Sequence, residues 1–90
     1  MANNFKILIH RNDDNLRMKL VGEFDRASAH QLLNHLRKYC TKFSTIFIHT
    51  DCLKQLNAFG VGVFNSHLGD LDKDRIRLIF TGENAAQFTA

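Results

Sequence analysis

Two apolar periods alternate along this chain, and that alternation restricts the folds open to it. Leu16-Arg17-Met18-Lys19-Leu20-Val21 carries apolar residues at every second position, the spacing of a strand with one buried face. Ala29, Leu32, Leu33, Leu36, Cys40 and Phe43 recur mostly three and four residues apart, which lines them up along one stripe of a helix. Phe5 to His10 predicts a strand before the first of these, and the polar link Arg11 to Asn15 predicts that the two strands form an antiparallel hairpin. Ser44 to His49 is a short apolar strand of the kind found inside a sheet. Thr50 to Leu56 reads as a connector. Ala58 to about Leu71 predicts a second helix, with Val61, Phe64, Leu68 and Leu71 on one face. Arg75 to Thr81 is a last strand, Gly82 turns the chain, and Glu83 to Phe88 has room for one or two helical turns. The expected order is β-β-α-β-α-β-α. Strands joined through helices run parallel by right-handed crossovers, so the fold class is α/β, a small mixed sheet with helices packed on it.

Helix starts are marked chemically. Asp25 and Asn57 stand just before the two helices, where a side-chain oxygen can accept the unpaired N–H groups of the first turn. Arg37 and Lys38 suit the negative end of the first helix dipole.

Ninety residues make one domain, residues 1–90. Phe supplies eight of the aromatic residues and Trp none, and a ring with no polar handle belongs mostly inside. The net charge is +3, but Lys and Arg are scattered in sequence among acids such as Glu23, Asp25, Asp70 and Asp72. No basic run points to nucleic acid, so none is expected as a partner. No apolar run nears the ~20 residues that span a bilayer, so no membrane insertion is expected. Met1 to Asn4 lead into a strand with no basic and long apolar leader, and Cys40 and Cys52 form no CxxC. The expectation is a cytoplasmic protein with reduced thiols, a monomer or weak homodimer.

Chemistry-bearing patterns are sparse. None of the five histidines pairs with another at the three- or four-residue spacing that sets two ligands on one helix face. His49, Asp51 and Cys52 lie close in sequence, but a metal-free surface loop is the expectation there. Cys40 falls on the apolar stripe and reads as a small core residue. Gly60-Val61-Gly62 is not a dinucleotide signature, and no phosphate-binding or nucleophile-elbow pattern occurs. No catalytic residue, metal or cofactor is expected.

Two segments carry a resemblance. Leu20-Val21-Gly22-Glu23-Phe24-Asp25-Arg26-Ala27-Ser28-Ala29 is similar to the strand, Gly-Glu-Leu-Asp corner and small-residue helix start of the STAS family. Ile46 to Phe64, ending Asn57-Ala58-Phe59-Gly60-Val61-Gly62-Val63-Phe64, resembles that family's buried strand, loop and Asp-Ser-Ser-Gly or Asp-Ser-Thr-Gly helix start. The likeness runs from about Phe5 to Phe88, and Gly60 stands at the motif glycine. It implies a STAS-like domain of the anti-sigma factor antagonist kind. It also implies a partner docking at Phe24, Asp25, Asn57, Ala58, Phe59, Gly60 and Val61. In such antagonists an anti-sigma kinase phosphorylates the motif serine. Ala58 and Phe59 occupy the matching positions and carry no hydroxyl, Asn57 replaces the motif Asp, and His49 stands where an Asp is usual. The implied phospho-switch cannot operate at this site. The implied partner is an anti-sigma factor or kinase. Alternatives are the ATPase of a lipid-transport ABC system, or a small ligand or nucleotide held at the helix N-terminus.

Two expectations concern packing. Phe59 is either an exposed aromatic anchor or folded in against Phe24 or Phe64, and the core placement is expected. Gly60 and Gly62 each cost up to about 1 kcal/mol in a helix relative to Ala. Close helix–sheet packing is the expected compensation at Gly62, and a close approach or a docked partner at Gly60.

Overall fold

The longest strand organises the rest. Asn15–Phe24 forms β2, and its odd and even positions differ sharply: Leu16, Met18 and Leu20 are fully buried while Arg17 and Lys19 are exposed. Lys6–Arg11 forms β1 and pairs antiparallel with β2, from Lys6 opposite Val21 to Arg11 opposite Leu16. The chain is seen in a computed structural model that describes residues 4–70 and 76–88.

Arg26–Tyr39 forms α1 and carries the chain to Thr45–His49, which is β3 and lies parallel to the first half of β2. Ala58–His67 forms α2, a three-residue 3-10 turn at Leu68–Asp70 follows it, and Arg77–Thr81 enters parallel to β3. That last strand is β5 here, because the expected connector contains a strand of its own. Leu53–Leu56 is β4, pairing parallel with the far end of β2 at Gly22, Glu23 and Phe24. The five-stranded sheet runs β1-β2-β3-β5, with β4 taking over from β3 along the same edge of β2. The second helix is shorter than its apolar pattern predicted. Leu71 and Arg75 lie outside the described residues.

Gly22 permits the corner at the end of β2. Its φ is +104°, a region that L side chains rarely adopt, and a Cβ there would collide with the Asn4 carbonyl oxygen. A register shift between Gly22 and Glu23 accompanies it, and a bulge of this kind re-aims a strand end.

The core lies between one sheet face and both helices. Ala29, Leu32, Leu33 and Leu36 of α1 pack with Ile46 and Ile48 of β3 and Phe64 of α2, all inaccessible to solvent. Phe64 sits among three rings at 5.6–6.2 Å: Phe24, Phe80 and Phe88, all edge to face, the arrangement aromatic quadrupoles favour. Phe88 follows the turn Ala85–Gln87 and reaches the same cluster. Cys40 and Phe43, at the end of the helical stripe, are partly buried against the core. No helix among the described residues is long and apolar enough to cross a membrane.

Candidate functional site

Both helix starts are capped as their sequences predict, and the caps bring the two starts together. Asp25 Oδ1 accepts from Ser28 N at 2.9 Å. The buried Ser28 hydroxyl lies 2.8 Å from the Glu23 carbonyl and 3.0 Å from the same Asp25 oxygen, so it ties the corner to the cap. Asn57 Oδ1 accepts from Phe59 N at 2.8 Å, while Asn57 N donates to the Phe24 carbonyl at 2.8 Å. One main-chain bond therefore joins the end of β2 to the start of α2.

Gly60 closes this junction. It is buried, and a Cβ built on it would lie 2.5 Å from the Asp25 carbonyl carbon and 2.6 Å from its oxygen. Only glycine lets the first turn of α2 rest on the α1 cap. Gly62 behaves otherwise: it is exposed, with nothing within 4 Å of a built Cβ. The close packing expected at Gly62 is thus absent there and occurs at Gly60, against the β2–α1 corner rather than the sheet. Gly62 falls on the outer side of α2.

Phe59 is the clearest departure from expectation. It is 75% exposed and does not fold in against Phe24 or Phe64. The reason is geometric: with Gly60 pressed to Asp25, the preceding position on the helix turns outward. Phe59 walls an open cleft of about 340 Å³ together with Asp25, Arg26, Ala27 and Asn57. A neighbouring depression of about 480 Å³ is lined by Glu23, Gln55 and Leu56 and again by Phe24, Asp25 and Asn57.

Of the residues proposed from sequence, Asp25, Asn57, Ala58, Phe59 and Gly60 meet at this junction, with Asn57, Ala58 and Phe59 exposed. Phe24 is only 1% exposed, so its ring belongs to the core and its carbonyl serves the junction. Val61 is partly buried against the core. Arg26, Ala27, Gln55 and Leu56 were missed, and their only signal in the sequence is adjacency to Asp25 and Asn57. Arg26 places a cation beside the cleft, and α2 has no acidic residue in its first turn.

Elsewhere, His49 and Asp51 have separate roles. His49 Nδ1 is hydrogen-bonded to the Thr81 hydroxyl, and Asp51 accepts from Glu83 N. Folding brings His30 and His67 edge to face at 6.0 Å, a pair invisible in sequence. Among the described residues no three His, Cys, Asp or Glu side chains gather as metal ligands.

The fold is STAS-like. An 84% stretch of this chain superposes on 19% of Mglu with a TM-score of 0.73 and 17% identity, so the chain spans about a fifth of that protein. The anti-sigma factor antagonist SpoIIAA in its unphosphorylated form matches 92% of this chain over 78% of its own, with a TM-score of 0.64 and 17% identity. An anti-sigma factor antagonist from Mycobacterium paratuberculosis matches 93% of this chain over 73% of its own, with a TM-score of 0.66 and 16% identity. No family model matches the chain, and no curated protein matches it by sequence.

Proposed function

We propose that this chain is a non-enzymatic protein-interaction module that docks a regulatory partner over the start of α2, without a serine phospho-switch. The observation that carries the reading is Phe59, a large ring 75% exposed at the rim of the Asp25–Asn57 cleft. An aromatic side chain held in water on a capped, preorganised helix start has the character of an interface anchor. Gly62, one turn further along the exposed side, leaves room for a partner backbone to approach. Likeness in fold to two anti-sigma factor antagonists supports an anti-sigma factor or kinase as the partner class. Ala58 and Phe59 offer no hydroxyl to a kinase, so docking is governed by partner concentration rather than by phosphate at this position.

The same missing hydroxyl favours a second reading, a small subunit seated on the ATPase of a lipid-transport ABC system. One experiment separates them: affinity purification of the tagged protein from its native host, beside Phe59→Ala. An anti-sigma kinase recovered by the wild type and lost from the variant supports the first reading. A transporter ATPase with the same sensitivity supports the second. A partner retained equally by Phe59→Ala removes the α2 start as the docking site.

A further inference from the structure

The sheet has a second face that none of the described helices covers. Both helices and the Phe88 turn pack on the side of Leu16, Met18, Leu20, Ile46 and Ile48. The side chains between these positions point the other way. Cross-strand partners share a face, so the register gives this open side row by row. His10, Arg17, Phe47 and Ile79 form one row across β1, β2, β3 and β5. Leu8, Lys19, His49 and Thr81 form the next. Arg77 and Lys6 extend the face at either end, opposite Thr45 and Val21.

Basic residues that are scattered in sequence are therefore collected by pairing. Lys6, Arg17, Lys19 and Arg77 are all exposed, and no carboxylate belongs to these rows. Planar groups sit among them. The Arg17 guanidinium lies 5.6 Å from the centroid of the Phe47 ring, on the central strand, and His10 and His49 flank that pair.

We propose that this open face binds single-stranded nucleic acid, with the Arg17 guanidinium, carried on the Phe47 ring, and the two histidines as stacking groups and the four cations as phosphate contacts. The four strands span about 14 Å at ~4.8 Å spacing, room for the two or three bases that a four-stranded sheet can stack. Phosphates and flat bases together use both kinds of side chain present. An acidic peptide would use the cations alone. An anionic lipid surface would call for a cluster of apolar groups that insert; Leu8 is the one large apolar side chain of these rows that is more than half exposed, and the Phe47 ring lies beneath Arg17. The face is independent of the α2 start, so this proposal stands or falls separately from the docking reading.

The test is fluorescence anisotropy with a short labelled single-stranded RNA, its DNA counterpart and the duplex. Polyglutamate serves as competitor, and phosphatidylserine vesicles are assayed in parallel. The expected Kd for single strands is about 10–100 µM, weakening about 20- to 50-fold from about 50 to about 200 mM salt, as three or four phosphate contacts require. Phe47→Ala should weaken binding about tenfold, and Arg17→Glu should weaken it and flatten the salt dependence, both in proteins whose far-UV spectra and melting match the wild type. Phe59→Ala should change nothing here. RNA preference over DNA, or parity between them, assigns the source. No binding at low salt, equal binding of duplex, equal displacement by polyglutamate, equal uptake by vesicles, or indifference to both variants would each overturn the proposal.

Discussion

Gly60→Ala and Gly62→Ala are the same chemical change two positions apart on one helix, and the structure predicts opposite signs for them. Alanine in a helix interior is favoured over glycine by about 1 kcal/mol. At Gly62 nothing lies within 4 Å of the new methyl group, so the gain is kept. For a domain of this size, about 1 kcal/mol raises Tm by about 4–8 °C. At Gly60 the methyl group would meet three main-chain atoms of Asp25 at 2.5, 2.6 and 2.8 Å, against ordinary contacts of 3.4–4 Å. Backbone cannot swing aside as a long side chain can. Overpacking costs about 1–3 kcal/mol, and shifting Asp25 endangers a cap worth about 1 kcal/mol. Less the propensity gain, Gly60→Ala should be destabilising by about 1–3 kcal/mol. Urea titration followed by circular dichroism, with m-values compared to confirm a common denatured state, gives both signs. If Gly60→Ala proves as stable as the wild type, or if both variants shift the same way, the close approach of α2 to the α1 cap is wrong.

Three further outcomes follow from the packing. Phe64→Ala empties the centre of the ring cluster at Phe24, Phe80 and Phe88 and should cost about 3–5 kcal/mol, visible as a large fall in urea midpoint. Asp25→Ala removes the acceptor of Ser28 N and one partner of the buried Ser28 hydroxyl; a loss of about 1–2 kcal/mol is expected, and an unchanged midpoint would show the cap to be dispensable. Phe59→Ala should leave stability within about 0.5 kcal/mol of wild type while weakening a captured partner by about 30-fold or more, as read by titration calorimetry.

The rhythm of the elements could be read along the chain because each depends on neighbours in sequence. Period-two alternation over Leu16 to Val21 made β2, helical spacing from Ala29 made α1, and Asp25 and Asn57 capped the helices they precede. A cap is a contact over two or three residues and needs no tertiary information. Residues Leu53 to Leu56 carry no such signature: Lys54 and Gln55 interrupt the apolar positions, and the segment is a strand only because the end of β2 offers its hydrogen bonds. The candidate site was legible as a pair of segments but not as a surface. That Phe59 faces water, that Gly60 and not Gly62 is pressed to a neighbour, and that Phe24 supplies a carbonyl rather than a ring all depend on how α2 rotates against the α1 cap. The open basic face is likewise a product of register, since Arg17 and Arg77 meet the two sides of β3 only after three strands pair. Local chemistry set where strands and helices begin. Which side chains share a surface was decided by the pairing and packing of segments distant in the chain, because those contacts have no counterpart in sequence spacing.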